Sequence, residues 1–235
     1  MNNFYKIPLK ALQGLQTKQV CFDDVERACI EHYRLQLKPM GRNKKRESYN
    51  QILEHFQKKI KQKDLSASYE KLKDGFETGE IWGAISCNVF RLFSISNNVD
   101  AFCLITAINS LQGRKQFFMT NKKILLCRML GFICETDLQE NPELFKRYLK
   151  ITRTRKTQDY FLDKLLQELY EKDLLKGRAF TYRNKKRVLV LSTKIQSVEL
   201  FKIVKQKRKE NLKIVSKLAR QLTEIQHPSL RDLLN

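Results

Sequence analysis

Two short stretches carry the residues with the clearest chemistry. Arg183-Asn-Lys-Lys-Arg187 places four cations around one turn, where a tight turn asks only for polar or φ-permissive residues. Arg153, Arg155 and Lys156 come just before Thr157. Threonine is a residue type that opens helices, and the free N–H groups at such an end attract anions. Further on, Tyr160, Lys164 and Gln167 share a helical face with Lys156, opposite Phe161, Leu162, Leu165 and Leu169, at about 100° per residue. These types suit a nucleic acid. Glutamine reads a base edge, lysine takes a guanine or a phosphate, and a tyrosine hydroxyl reaches a backbone oxygen. Asp163 lies on the same face and argues the other way, because a carboxylate there repels phosphate unless it meets a cytosine amine. The plain alternative is an ordinary solvated helix face. The same basic pentapeptide occurs earlier as Arg42, Lys44, Lys45 and Arg46 around Asn43. It reads equally as a second phosphate clamp or as a coincidence in a lysine-rich chain.

The charge balance supports a polyanionic partner. Lysine and arginine number 46 against 25 acids, a formal charge of +21. A surplus of that size repels itself in the free protein. It is also unevenly placed: residues 150–220 hold 21 basic and 7 acidic side chains, and residues 41–63 hold 8 and 2, so the remainder is nearly balanced. Nucleic acid is the expected partner, with duplex DNA ahead of RNA. An anionic membrane and charge kept for solubility are weaker readings. Each neutralised phosphate adds about 0.9 to the slope of log affinity against log salt.

Catalytic and metal chemistry find little support. The chain lacks a G-x-x-x-x-G-K-[ST] loop, a nucleophile elbow and a paired histidine motif. None of His32, His55 and His227 has arginine three residues on, as tyrosine-type strand exchange would require. Cys29 and His32 can share a helix face with Cys21 nearby, but a fourth zinc ligand is missing. No enzyme activity, metal or cofactor is therefore expected. Six cysteines without a C-x-x-C pair read as reduced thiols. The absence of a signal pattern and of a long apolar run leads to an expected intracellular protein, cytoplasmic and nucleoid-associated, or nuclear in a eukaryotic source, with no membrane partner.

The elements that must position these residues are expected to be mainly α, since eight glycines and four prolines are few for 235 residues. Residues 1–78 read as an N-terminal helical unit, with a helix from Val25 to Leu37 capped by Asp23 and Asp24. A second carries Tyr49, Ile52, Leu53, Phe56 and Ile60, and a third Tyr69, Leu72 and Phe76. Residues 80–95 read as either strand or buried helix. Helices are then expected over Val99–Leu111, over Asn121–Leu130 behind a Thr120 cap, and over 142–150 behind Asn141-Pro142. Another runs from Thr157 to Lys172. Alternation after Gly177 predicts a hairpin, with Phe180 and Tyr182 on one strand, Val188–Leu191 on the other, and Asn184-Lys185-Lys186 turning between them. Residues 193–235 read as a long basic C-terminal helix, and its seam of Leu212, Val215, Ala219, Leu222 and Ile225 is a candidate homodimer contact.

Three helices followed by a hairpin, in this order, resemble the winged-helix DNA-binding superfamily. Thr120-Asn-Lys-Lys-Ile-Leu-Leu-Cys-Arg-Met-Leu-Gly131 is similar to its second helix. Leu165-Leu-Gln-Glu-Leu-Tyr-Glu-Lys-Asp-Leu-Leu175 is similar to its third helix running into the wing. The resemblance implies a winged-helix-like domain over 79–192, with the third helix in the major groove and the hairpin on flanking phosphates. About thirty residues, Arg147-Tyr-Leu-Lys-Ile-Thr-Arg-Thr-Arg-Lys156 with Phe161-Leu-Asp-Lys-Leu165 and Leu169, also look like the C-terminal part of RteC-type regulators of Bacteroides conjugative elements. That similarity implies control of element excision through promoter DNA; for the chain as a DNA binder, a role in transcription, replication initiation or element mobility is expected. One departure is plain: some 25 residues separate the second and third helices, where a plain helix-turn-helix uses three or four. An RNA-binding or ribonucleoprotein scaffold component is the alternative function, since basic helices also serve A-form RNA. A protein–protein adaptor is a third class.

Overall fold

The computed structural model describes residues 4–36, 51–56, 58–77, 81–183, 186–206 and 208–209. The chain opens with strand β1 (Phe4–Pro8), where Tyr5 and Ile7 alternate inward. It continues through helices α1 (Leu9–Gln16), α2 (Phe22–Gln36) and α3 (Gln62–Glu77) to β2 (Trp82–Ser86). Helices α4 (Cys87–Ser96) and α5 (Val99–Gln112) follow, then β3 (Phe118–Thr120), α6 (Lys122–Met129), α7 (Glu135–Gln139), α8 (Pro142–Thr152) and α9 (Arg155–Glu171). Strands β4 (Gly177–Arg183) and β5 (Lys186–Ser192) come next. Residues 51–55 and 197–206 are also helical.

The described structure is mainly helical, as composition implied, with two small antiparallel sheets. One is the β1–β2 pair and the other has the order β3-β5-β4. Helix α5 is the centre. Every residue from Ala101 to Ile108 is buried, the pattern of a helix surrounded on all sides. The elements β2, α1, α4, α6 and α9 pack around it. Its start is set by the Asn98 side chain, which accepts from the Ala101 N–H at 3.1 Å. Its far end is tied down by Gln112. That buried amide donates to the carbonyls of Lys115 and Gln116 and accepts from Thr193, so the loops before β3 and after β5 share one anchor.

Several expectations change. The N-terminal unit is not purely helical, because β1 pairs with β2 across the expected boundary at 78/79, Tyr5 opposite Ile85 and Ile7 opposite Gly83. One continuous core runs from Tyr5 to Leu191. Residues 80–95 are both of the alternatives in turn, a strand and then a helix, and the switch occurs where the Ser86 side chain accepts from the Val89 N–H. Helix α2 begins at Phe22 rather than Val25, since Asp24 accepts from the backbone N–H of Cys21 at 3.2 Å and Phe22 is drawn into the core. The helix around Ile52 ends before Ile60. Residues 58–61 are not helical, and the Lys58 ammonium donates to Glu26 at 2.8 Å. Thr120 belongs to β3, and Asn121 is the cap of α6, its side chain accepting from Ile124 N–H at 2.8 Å.

The C-terminal segment does not begin as a free helix at Thr193. Residues 193–195 bend around Ser192, whose hydroxyl accepts from the N–H groups of Lys194 and Ile195. The helical residues then press Leu200 and Val204 against Ala179 and Val190 of the hairpin. The proposed dimer seam from Leu212 to Ile225 lies outside the described residues.

Candidate nucleic-acid interface

Helix α8 starts as its sequence predicts: Asn141 accepts from the Leu144 N–H at 3.1 Å and Pro142 takes the first helical position. The corner between α8 and α9 departs from expectation by three residues. Thr154, not Thr157, caps α9. The Thr154 hydroxyl accepts from Thr157 N–H at 3.1 Å, and the Thr157 hydroxyl accepts from Thr154 N–H at 3.2 Å. Thr157 also donates towards the Ile151 carbonyl, so its hydroxyl serves the corner itself. Arg155 and Lys156 therefore lie inside the first helical turn, and that turn has no acid. Cations there oppose the helix dipole unless an anion lies beyond them. Arg153 is exposed at the end of α8.

The buried side of α9 carries Leu162, Leu165, Leu166 and Leu169, with Phe161 partly buried. Lys156, Tyr160, Lys164 and Gln167 are all exposed, Tyr160 by 73%. At α-helical geometry they fall within an arc of about 80° and span about 16 Å of axis. Gln167 donates to Glu171 at 3.0 Å, a bond it would have to exchange for a base edge.

Two of the acids beside this stripe, Asp159 and Asp163, are held by the body of the protein. Lys122 from α6 pairs with Asp159, and Arg178 from β4 pairs with Asp163. Arg155 also approaches Asp159 at 3.9 Å. The carboxylate that argued against nucleic acid is thus neutralised by a cation 15 residues away. Glu168 accepts from Asn98 at 2.8 Å and pairs with Lys172. Neither Lys122 nor Arg178 stood out in the sequence, since nothing in their spacing tells that they meet α9.

The Arg178–Asp163 pair also fixes the hairpin against α9. Below it, β5 pairs with β3, Phe118 opposite Leu191 and Thr120 opposite Leu189. The hairpin ladder runs out to Arg183 opposite Lys186. Lys186 and Arg187 are therefore strand residues, where Lys186 was expected in the turn. Lys185, and Arg42, Lys44, Lys45 and Arg46 of the earlier pentapeptide, lie outside the described residues.

The loop from α6 to α9 is taken up by α7 and α8, so the inserted segment is folded. Arg147 on α8 joins Asp100 of α5 at 2.6 Å and Gln16 of α1. Arg128, 6% exposed, sits in the last turn of α6, where the helix dipole favours a cation. Burial holds its guanidinium below the ordinary arginine pKa.

Among the described residues no group of three or more His, Cys, Asp or Glu side chains converges on a metal position. The Cys29 thiol donates to the Lys6 carbonyl at 3.3 Å, whereas the His32 ring stacks on Phe76 at 4.4 Å. Burial pushes the Cys103 thiol up to about 12 and Cys127 up to about 11, far from a nucleophilic range. Among the described residues no helix is long and apolar enough to cross a membrane. Comparison with protein-family models, with curated proteins and with solved structures returns no match to this chain.

Proposed function

We propose that this chain binds double-stranded DNA in a sequence-directed way, in the manner of a winged helix, with α9 in the major groove and the β4–β5 hairpin on the flanking backbone. One observation carries the reading. The solvent face of α9 presents Lys156, Tyr160, Lys164 and Gln167, while two of the acids next to them, Asp159 and Asp163, are occupied by Lys122 and Arg178; the third, Glu171, accepts from Gln167 at the far end of the stripe. An ordinary solvated face gains little from such pairing. A face turned to phosphate gains a great deal, because unpaired carboxylates there would repel it.

The order helix α5, strand β3, helix α6, helix α9 and hairpin, with α7 and α8 inserted between α6 and α9 and with β3 pinning the hairpin, supports that use of the domain. In this reading the protein is not an enzyme but a regulator of transcription, replication initiation or element mobility. It works in the cytoplasm on the nucleoid, or in a nucleus, and pairs with a second copy through the C-terminal seam. Selection of bound fragments from a random duplex pool, followed by competition with structured RNA, tests it. A recurring motif that RNA fails to displace is the expected result. Enrichment of no motif, or displacement by RNA at lower concentration than by duplex, would refute it in favour of the ribonucleoprotein reading.

A further inference from the structure

A second surface, beyond the C-terminal end of α9, has its own chemistry. The β1–β2 pair turns Tyr5, Ile7 and Ile85 into the core and leaves Phe4, Lys6 and Trp82 on the outside. Gly83 fixes this arrangement, since a Cβ there would lie 2.5 Å from the Thr106 carbonyl oxygen of α5. The strand can lie this close only with glycine inward, and Trp82 is then directed outward. Asn109 holds the strand in place by donating to the Ala84 carbonyl at 2.8 Å. Trp82 is 47% exposed and Phe4 51%. Two large aromatic rings left on one small sheet mark a contact surface more often than chance exposure.

Trp82 and Phe4 line a groove of about 600 Å³ with Asn109, Ser110, Arg114 and Lys194. That volume suits a ligand the size of a nucleoside or somewhat larger. The charges around it are nearly all positive. The Lys6 ammonium lies 5.1 Å from the Trp82 ring centroid. Arg114 is exposed on the rim and no acid pairs with it among the described residues. Lys194 donates to the Lys115 carbonyl at 3.1 Å, just past the end of α5. The one acid in the lining, Asp173, is paired with Lys176 at 2.6 Å.

We propose that this groove binds single-stranded nucleic acid, with an unpaired nucleobase stacked on Trp82 and its phosphate met by Lys6 and Arg114. A flat π-surface beside cations, one of them already over one face of the ring, is the combination that single strands use, whereas a duplex keeps the faces of its bases covered. The groove adjoins Asp173 and Leu174 beyond the end of α9, and Thr193 and Lys194 beyond the end of β5. Its lining includes none of the residues proposed for duplex DNA. It rests on that reading only in taking the partner to be a nucleic acid.

Trp82 is the sole tryptophan of the chain, so its emission reports on this groove alone. The full chain is titrated with a short oligothymidylate and, separately, with a labelled duplex. The oligonucleotide is expected to quench the emission. Trp82→Ala should weaken oligonucleotide binding on the order of tenfold or more, Trp82→Phe should recover most of the loss, and duplex affinity should stay within about twofold. Arg114→Ala, a change at an exposed side chain, should weaken oligonucleotide binding and flatten its salt dependence. Unchanged emission under saturating oligonucleotide, or equal affinity of the Trp82→Ala chain, overturns the proposal and leaves the groove to a peptide or a second copy. Quenching by the oligonucleotide with no duplex binding supports this proposal and sinks the duplex reading. Binding of neither sinks both.

Discussion

Replacing Lys156 and Lys164 together by alanine removes two exposed cations from α9 while leaving its buried leucines in place. They are eight positions apart, about 12 Å along the axis, which is close to the width of the major groove. Cations so placed can reach the phosphates on both walls. If each releases one counterion equivalent, the slope of log affinity against log salt becomes shallower by about 1.8. Between about 50 and 200 mM salt, the affinity gap between native and variant chains then narrows about twelvefold. Neither lysine forms an ion pair among the described residues, and alanine favours a helix, so the melting temperature should hold or rise slightly. Fluorescence anisotropy with a labelled duplex over a salt series reads the slope directly. An unchanged slope with an unchanged fold would show that α9 does not face the DNA backbone.

Four other outcomes are expected. Alanine at Arg183, Lys185, Lys186 and Arg187 should weaken binding to all duplexes alike and lower the salt slope by up to about 3.6, measured in the same assay. Gln167→Ala should leave the slope unchanged and alter which sequences a random pool yields; loss of affinity for every sequence alike would speak against base reading. Gly131→Ala should destabilise the fold by about 2–3 kcal/mol in urea melts, because φ is +90° there and a Cβ would lie 2.5 Å from the Leu9 carbonyl oxygen. Burial, with Lys6 nearby, holds the His32 imidazole below its ordinary 6.5. Protonation therefore favours the unfolded chain: this contribution is intact above pH 6.5 and is lost as pH falls through that value towards the folded pKa. Thermal melts between about pH 7 and 5 should show the fall, and His32→Gln should lessen it.

The sequence made the helices from Val99 onward legible because their caps and stripes are local. Asn98, Asn141 and Gly131 act within a few residues of where they stand. It was silent on β1 and β3, which are five and three residues long and exist only through partners far away in the chain. Alternation over so few positions has too little length to register. The Thr154 cap was misread as Thr157 because both are threonines three apart that bond each other. Sequence alone allowed either order. On the candidate site, the exposed stripe was legible from helical period alone. The pairing of Asp159 and Asp163 was not, since it depends on where α6 and β4 come to rest.

The β1–β2 ladder has a consequence for how the molecule is made. Strand β1 finds its partner only after Trp82 to Ser86 have been made, so a large loop must close before Tyr5 and Ile7 are sheltered. A chain cut at the 78/79 junction would leave each piece with half a ladder and an open flank of core. The ladder and the core that runs across that junction thus tie the fate of one side to the other.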